Sequence, residues 1–512
     1  MPTPPLTPPT TAEFAALGRE FGLTLDAATL GSIERTTSGV FTALQRLDEL
    51  SPTVAPIKYS RDGGRRPVRM RNPLNAWSWQ GTIRGAENGV LQGKTVVVKD
   101  NIAVAGMPLT NGNALLTHYV PEFDATIVTR VLDAGGTIVG KATCENLCLS
   151  AGSHTANSGA VKNPHDPTRS SGGSSSGCAA LLAAGEVDLA LGGDQGGSIR
   201  TPAAWCGVYG LKPTWGLVPT TGAMPIAYTL DHLGPMARSA SDLARLLSVI
   251  AGPDGHDPRT RGAKVKDYIA ALAQNLRGLR IGWLREGFAQ PNSDPRTNEV
   301  VHAALADFVQ LGAEIVEVSI PLHYDAPAIW TGLLVEGAAE MMFRGNGQGC
   351  GWDGQYAESL IDAFGAAWHA KPDKLPETGK QLLLLGEYLR RKYFGRYQAR
   401  AQNLRPQLQA AYDAALARCD VLAMPTIPLV AAPLPAPDAA RDALIDAALN
   451  MQQNTCPFDA SGHPALTLPC GLVEQMPVGL MLVGRQFDDD VLIAAAHTYQ
   501  TRAYQTSKAP HS

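Results

Sequence analysis

The sequence has no excess of positive charge. Its 43 lysine and arginine residues are outnumbered by 47 aspartate and glutamate residues, which gives a formal net charge of −4 at pH 7. Proteins that bind nucleic acids usually carry a basic face or stripe. The composition therefore predicts no nucleic-acid partner.

Long apolar runs are also missing. The longest one, residues 178–185, stops at Glu186 and is far shorter than the roughly 20 residues with which a helix crosses a bilayer. The first nine residues are rich in proline and threonine and carry neither the basic nor the apolar part of a secretory signal. We therefore expect a cytoplasmic protein with no membrane partner.

Cysteine and histidine are present without the spacing of a disulfide framework or a metal site. The eight cysteines are scattered, and several lie in apolar runs, where a thiol behaves as a small buried hydrophobe. Cys144 and Cys148 are four residues apart, but no second Cys/His pair at ligand spacing lies nearby. The 11 histidines include no His-Glu-x-x-His motif and no obvious base for a catalytic serine. We predict no metal and no cofactor.

Strand-like apolar runs alternate with helical patterns along most of the chain, which predicts an α/β fold around a mostly parallel or mixed sheet. The predicted strands are residues 95–98, 137–139, 187–192, 279–284, 314–318, 420–423, 465–469 and 479–483. The predicted helices include 124–135, 177–185, 240–251, 296–311 and 489–502. We predict an N-terminal helical extension over 1–80 and a main domain over 81–512. A mainly helical insertion is predicted at about 322–418, with its longest helical stretch at 379–416.

Two glycine-rich loops carry serines: the first serine loop, 172–177, and the second serine loop, 192–198. Glycine permits positive φ, so such loops can direct several N–H groups to one point. The first loop matches the esterase Gly-x-Ser-x-Gly motif at Ser175, but a turn precedes it where that motif needs a strand. The segment 135–142 nearly matches a phosphate-binding loop, but Ala142 stands where a Ser or Thr is required. The loops predict an acyl-transfer site.

Lys99 ends the apolar run 95–98, and Ser198 follows another strand in the same way. In open α/β sheets, ligands gather at the carboxyl ends of the strands, so both residues are predicted to lie at one rim. A serine needs a base to take its proton, and without a suitable histidine a desolvated lysine is the other available base. The alternative is a lysine that extends its ammonium group into water.

These residues resemble the amidase signature family. The matching motifs are the lysine that ends an apolar strand before Asp-Asn, the Gly-Gly-Ser-Ser segment at 172–175, and the Gly-Gly-Asp-Gln-Gly-Gly-Ser-Ile-Arg segment at 192–200. The match extends from about Arg84 to near the C-terminus and is weakest over 322–418. The Asp194-Gln195 pair and the N-terminal extension resemble the bacterial, often enantioselective amidases that are found beside nitrile hydratase.

The resemblance implies a Ser–Ser–Lys triad in which Ser198 is the nucleophile, Ser174 the relay and Lys99 the base. It implies a large mixed sheet covered by helices on both faces and a homodimer. The implied reaction is hydrolysis of small aromatic or aliphatic amides to the acid and ammonia. The further residues implied for oxyanion or substrate binding are Gln195, Gly196, Gly197, Ser198, Ser175 and Trp330, with Asp194 and Arg200 bracing the loop. The pattern around Trp330 alone favours a core position.

Several alternatives stay open at this stage. The same chemistry serves anilides, carbamates and esters. The chain also fits the amidase subunit of a tRNA-dependent amidotransferase, although no segment resembles a tRNA-binding module. An esterase that uses Ser175 with a histidine, and a binding protein without catalysis, are the two alternatives from other classes.

Overall fold

The computed structural model describes residues 6–50, 55–436 and 438–504, and its contacts divide the chain into two compact units, Met1–Pro56 and Ile57–Ser512. The first unit contains helices α1, Thr11–Glu20, and α2, Ala27–Asp48. Both begin at a side-chain cap, because Thr10 accepts a hydrogen bond from the Glu13 N–H and Asp26 accepts one from Thr29. These caps satisfy N–H groups that have no partner inside the helix.

One sheet of eleven strands, counted over the described residues, forms the second unit. The strands are β1 Trp77–Arg84, β2 Thr95–Lys99, β3 Thr137–Ala142, β4 Leu189–Asp194, β5 Tyr209–Lys212, β6 His232–Ala237, β7 Arg280–Leu284, β8 Glu314–Val318, β9 Val421–Pro425, β10 Ala465–Val473 and β11 Met476–Gly484. Their order across the sheet is β1-β3-β2-β4-β6-β5-β10-β11-β9-β7-β8. β2 pairs in parallel with β3 and β4, whereas β6 is antiparallel to β4. The predicted α/β fold with a large mixed sheet is confirmed.

Along the chain, the helices of the second unit lie between these strands, except that the last helix follows the last strand. They are α3 Thr126–Asp133, α4 Ser176–Ala183, α5 Arg200–Cys206, α6 Ala240–Ile250, α7 Arg285–Phe288, α8 Pro295–Gln310, α9 Ala326–Ala338, α10 Glu358–Ala370, α11 Glu377–Tyr393, α12 Arg396–Leu416, α13 Arg441–Leu449, α14 Cys456–Ser461 and α15 Asp489–Tyr499. Every strand and helix predicted above has a counterpart here. The stretch 379–416 is two helices, because Phe394 and Gly395 both take left-handed φ values, 58° and 83°.

Three strands were not predicted: β1, β5 and β6. β6 contains Gly234 and Pro235, residues that argue against an interior strand, yet it lies between β4 and β5. β1 spans residue 80, where the sequence suggested a domain boundary. The boundaries at residue 80 and around the insertion at about 322–418 stay predictions.

An apolar cluster separate from the sheet core includes side chains of the mainly helical segment 338–382. It joins buried residues of 103–149 to Met224, Ile226 and the segment 338–382. Burial of large apolar side chains contributes roughly 1.5–3 kcal/mol each. The cluster therefore packs the segment 338–382 against residues on both sides of β3.

Candidate active site

Lys99 is the last residue of β2, and the second serine loop begins within β4, the parallel neighbour of β2. The Lys99 side chain is fully buried, so the alternative of a lysine extended into water is wrong. Its Nζ donates to Ser174 Oγ at 2.7 Å and to the Gly193 carbonyl oxygen at 3.0 Å. The structure therefore brings the predicted base and the predicted relay into direct contact.

The first serine loop is joined by backbone hydrogen bonds to the structure around it. The Ser175 N–H donates to the Ser198 carbonyl oxygen at 3.0 Å, and the Glu145 N–H donates to the Ser174 carbonyl oxygen at 3.1 Å. Ser175 Oγ donates to the same Gly193 carbonyl oxygen as Lys99, at 3.2 Å. Ser175 thus supports the loop, and the hydrogen bond to Ser198 links the two serine loops.

Asp194 holds the second serine loop in its bend. Its carboxylate accepts the Gly197 N–H at 2.6 Å and the Ile199 N–H at 3.0 Å. The family resemblance implies Gly197 as one of four oxyanion donors, whereas here its N–H is directed to Asp194. The Trp330 indole N–H donates to the Gln195 carbonyl oxygen at 2.7 Å. This carbonyl and the Gly196 N–H belong to one trans peptide group and point in opposite directions, so the Gly196 N–H points away from Trp330.

Arg200 lies between two buried carboxyl groups. Its guanidinium contacts Asp194 at 3.0 Å and Asp459 at 2.6 Å, and it also donates to the Thr455 carbonyl oxygen at 2.8 Å. Burial acts to raise the pKa of Asp194, but the charge of Arg200 outweighs it and the pKa is lowered. Burial and the charge of Asp194 raise the pKa of Asp459 well above its ordinary value. Arg200 therefore favours the ionised form of Asp194, whereas burial favours the neutral form of Asp459.

The Trp330 side chain is pressed against the second serine loop. A Cβ on Gly196 would come within 2.7 Å of Trp330 Cζ2 and of Gln452 Nε2, so a larger residue there must displace these side chains or the loop. Gln195 is buried, and its Oε1 has no hydrogen-bond partner among the described residues. An unpaired buried acceptor in the loop that bears Ser198 is suited to receive an N–H group of a bound molecule.

Four residues beside the loops were missed in the sequence as parts of a site: Cys148, Asp231, Thr455 and Asp459. The Thr455 hydroxyl donates to the Gly196 carbonyl oxygen at 2.6 Å. Burial raises the pKa of Asp231 to about 7, and its carboxyl accepts N–H groups from the turn at 226–227 and hydrogen-bonds the Gln195 side chain. Asp231 begins the segment Asp-His-Leu-Gly-Pro-Met-Ala-Arg, residues 231–238, which also resembles the amidase signature family, whereas the other three lie in no matching motif.

Clustered carboxyl, thiol and imidazole side chains are the usual sign of a metal site. Within the described ranges, no group of three or more His, Cys, Asp or Glu side chains is arranged to hold a metal ion. Among the described helices, none combines the length and the apolar character needed to cross a membrane.

Comparison with known proteins shows the family to which this chain belongs. The amidase family model matches residues 74–493. The chain is 41% identical over 504 residues to an enantioselective amidase of Rhodococcus rhodochrous, covering 97% of this chain and 96% of the relative. It is 40% identical to a glutamyl-tRNA(Gln) amidotransferase subunit of Halobacterium salinarum, covering 83% of this chain and 98% of the relative.

A solved structure leads to the same assignment. The native peptide amidase of Stenotrophomonas maltophilia superposes with a TM-score of 0.68 at 28% identity, covering 96% of each chain. The family model matches most of the chain, and a relative is 41% identical over nearly all of it. Together these two findings show the family. The chain belongs to the amidase signature family and is an amide-hydrolysing enzyme.

Proposed function

We propose that this enzyme hydrolyses small aromatic or aliphatic carboxylic acid amides to the acid and ammonia through an acyl-enzyme on Ser198. The observation that carries the proposal is the buried hydrogen bond between Lys99 Nζ and Ser174 Oγ, 2.7 Å long. It supplies a base and a relay beside the loop that bears Ser198. No histidine is needed in this arrangement.

The reaction proceeds by two acyl transfers. Ser198 Oγ attacks the amide carbonyl carbon, its proton passes through Ser174 to the neutral amine of Lys99, and the carbonyl electron pair moves onto oxygen. When the C–N bond breaks, the electron pair leaves with nitrogen, which receives the proton back from Lys99 through Ser174. Water then attacks the ester in the same way and releases the acid, which restores Ser198.

The oxyanion is stabilised by backbone N–H groups of the second serine loop, each preorganised at no cost during the reaction. Since the Gly197 N–H donates to Asp194, the donors we propose are those of Gln195, Gly196 and Ser198. Trp330 and Thr455 hold the carbonyl oxygens of Gln195 and Gly196, which keeps these peptide planes in place.

The substrate class follows from what surrounds the triad. The apolar cluster of 103–149, Met224, Ile226 and 338–382 includes side chains of the turn whose Glu145 N–H donates to the Ser174 carbonyl oxygen, and this nearness supports an apolar acyl group. Gln195 Oε1 accepts the N–H of an amide, whereas an ester oxygen in that place would repel it. Primary amides of aromatic or aliphatic acids are therefore favoured over esters, while anilides and carbamates are the neighbouring substrates to assay.

Turnover of a panel of primary amides by single variants tests the proposal. Ser198→Ala and Lys99→Ala are each expected to lower kcat by at least about 10⁴-fold, because the triad acts as a unit. Ser176→Ala, a serine of the same first loop outside the triad, is the matched control and should keep most activity. Hydroxylamine should trap the acyl group of the wild type as a hydroxamate. Near-native turnover by either triad variant would falsify the mechanism, and loss in Ser175→Ala with retention in Lys99→Ala would instead favour the histidine-dependent esterase.

A second candidate function is the amidase subunit of a tRNA-dependent amidotransferase, which the Halobacterium relative favours because it is matched over 98% of its length. That function requires glutaminase activity and partner subunits. Glutamine turnover by the purified chain, measured beside benzamide turnover, separates the two functions. No turnover of any amide, ester or carbamate would favour a binding protein.

The predicted cytoplasmic location is supported by the cysteines. All eight lie within the described residues and are free thiols, and seven of them are buried. Free thiols are typical of a reducing compartment. The homodimer implied by the resemblance stays a prediction, which sedimentation of the purified protein would test.

A further inference from the structure

The segment 222–231, the site wall, runs along one side of the candidate active site. Near its beginning, just beyond the end of β2, the Met224 N–H donates to the Asn101 carbonyl oxygen at 2.9 Å. The segment ends at β6, where His232 pairs with Asp194 of the second serine loop. The site wall therefore extends from the strand end that bears the proposed base to the loop that bears the proposed nucleophile.

A glycine-rich loop, residues 345–357, follows α9 along the chain and lies against the site wall. Five of its residues are glycines, and Gly347, Gly349 and Gly351 have positive φ values of 92°, 71° and 72°. A π-helical segment, Ala339–Arg344, joins it to α9, and such segments are rare but frequent at functional sites. Positive-φ glycines and an irregular helix end can absorb the backbone rotation of a moving loop.

One aromatic stack joins the loop to the site wall. The Trp352 ring lies on the Tyr228 ring, with centroids 3.7 Å apart and an interplanar angle of 11°. The Arg259 guanidinium lies 5.3 Å from the Trp352 ring centroid. This guanidinium is fixed to the wall, because it donates to the carbonyl oxygens of Tyr228 and Asp231 at 2.9 and 3.1 Å. Trp352 is therefore held by an aromatic ring and a cation that both belong to the wall side.

The loop tip, residues 350–355, is otherwise weakly attached. Four of its six residues are exposed. The Gln355 N–H donates to the His256 carbonyl oxygen at 3.3 Å, which is a long hydrogen bond. Asp353 and Arg261 form an ion pair at 2.9 Å, but both side chains are mostly exposed, and exposed pairs contribute little to stability. The aromatic stack therefore decides where the loop tip lies.

We propose that the loop tip is a lid on the substrate path, closed in this structure by the stack of Trp352 on Tyr228 and opened by rotation about Gly349 and Gly351. This inference rests on the proposed function, because the site wall borders the site where the amide reacts. Opening admits the amide and releases the acid, and closure over the bound molecule restores the stack. Trp352 acts through the wall and is therefore a positioning residue.

Cys350 makes the lid directly observable, because it lies on the loop tip and is the one exposed cysteine among the eight free thiols. A nitroxide label on this thiol, in the full chain, should give a mostly immobilised electron paramagnetic resonance spectrum. Trp352→Ala removes the stack, so the mobile component should become the larger one. Trp352→Phe keeps a ring against Tyr228 and should stay close to the wild type. A label that is equally immobile in Trp352→Ala overturns the proposal.

Two variants control the labelling experiment. Cys350→Ser should take up no label, since the other seven cysteines are buried. Trp283→Ala removes another half-buried tryptophan, whose ring on β7 contacts Phe288 and His302, and its labelled spectrum should match the wild type. A gain in mobility of equal size in Trp283→Ala would overturn the assignment of the closed position to the stack.

Kinetics separate a lid from a residue that takes part in the chemistry. Without the stack, closure no longer favours the bound state, so Trp352→Ala should raise the KM for benzamide at least about threefold and leave kcat within about twofold. A lower kcat at unchanged KM would overturn the lid, because it would place Trp352 in the acyl-transfer steps.

A measurement without turnover separates this proposal from the proposed function. In Ser198→Ala, which the proposed mechanism leaves inactive, benzamide at a concentration that saturates wild-type turnover should stay bound and reduce the mobile component of the label. Full turnover by Ser198→Ala would refute the triad. An inactive Ser198→Ala whose label does not respond to benzamide would refute only the lid.

Discussion

Asp194 and Asp459 flank the same guanidinium, yet their amide substitutions should differ strongly. Asp194 is ionised and accepts N–H groups from Gly197 and Ile199 as well as from Arg200, at 2.6 to 3.0 Å. Asp194→Asn removes the charge and places an N–H₂ group against donors. Breaking a buried pair at one partner costs about 3–5 kcal/mol. We expect Asp194→Asn to lose that much free energy of unfolding.

Asp459→Asn should be mild. Burial raises the pKa of Asp459, which favours its neutral form, and the amide oxygen of asparagine can still accept the Arg200 N–H that Asp459 Oδ2 accepts at 2.6 Å. A neutral replacement that keeps the hydrogen bond costs about 1 kcal/mol or less. The two variants therefore form a matched pair: both replace a carboxyl group by an amide of nearly the same shape, but only Asp194→Asn is expected to remove a negative charge.

Urea unfolding and benzamide turnover measure this difference. Asp194→Asn should unfold at much lower urea and lose turnover, because the Gly197 N–H and the bend before Ser198 lose their acceptor. Asp459→Asn should stay close to the wild type in both assays. Equal losses in the two variants, or a larger loss in Asp459→Asn, would refute the assignment of the negative charge to Asp194.

Three further predictions concern single side chains. Gly196→Ala should lower kcat/KM about 100-fold at little cost in the free energy of unfolding. The new Cβ meets Trp330 Cζ2 and Gln452 Nε2 at 2.7 Å, and the shift that follows displaces the proposed oxyanion donors. Wild-type kinetics in this variant would contradict the prediction. Trp330→Phe should lower kcat/KM by up to about tenfold, because it loses one hydrogen bond to the loop; an unchanged value would show that packing alone holds the loop. The free energy of unfolding of the wild type should fall by about 3 kcal/mol between pH 4.5 and about 7, and Glu145→Gln should lack this fall. Urea unfolding of both proteins at several pH values measures the difference. In that window the folded state holds a proton that the unfolded state has lost, so stability falls as pH rises; parallel curves would contradict it.

The sequence predicted much of the site because its signals are local. Lys99 ends an unbroken apolar strand, and Ser198 follows one, so the pattern alone places both at one rim of the sheet. The use of the Gly197 N–H by Asp194 was not predicted, because backbone N–H directions depend on the bend of the loop and not on composition.

What the sequence could not provide depends on contacts between distant segments. Cys144 and Cys148 showed no ligand pattern in the sequence, whereas in the structure both thiols donate to Asn111 Oδ1, and Leu147 and Cys148 take left-handed conformations that side-chain-bearing residues rarely adopt. The contact of Arg200 with Asp459 joins residues 259 positions apart. No periodicity or motif records such a pairing.

The same long-range contact has a consequence for synthesis. Lys99, Ser174 and Ser198, the proposed base, relay and nucleophile, all emerge from the ribosome within residues 99–198, but Thr455 and Asp459, which hydrogen-bond Gly196 and Arg200, are made near the end of the chain. A nascent chain therefore carries the reactive groups long before it carries the residues that align them. Catalytic competence arises only when translation is almost complete, and a chain truncated before residue 455 is expected to be inert.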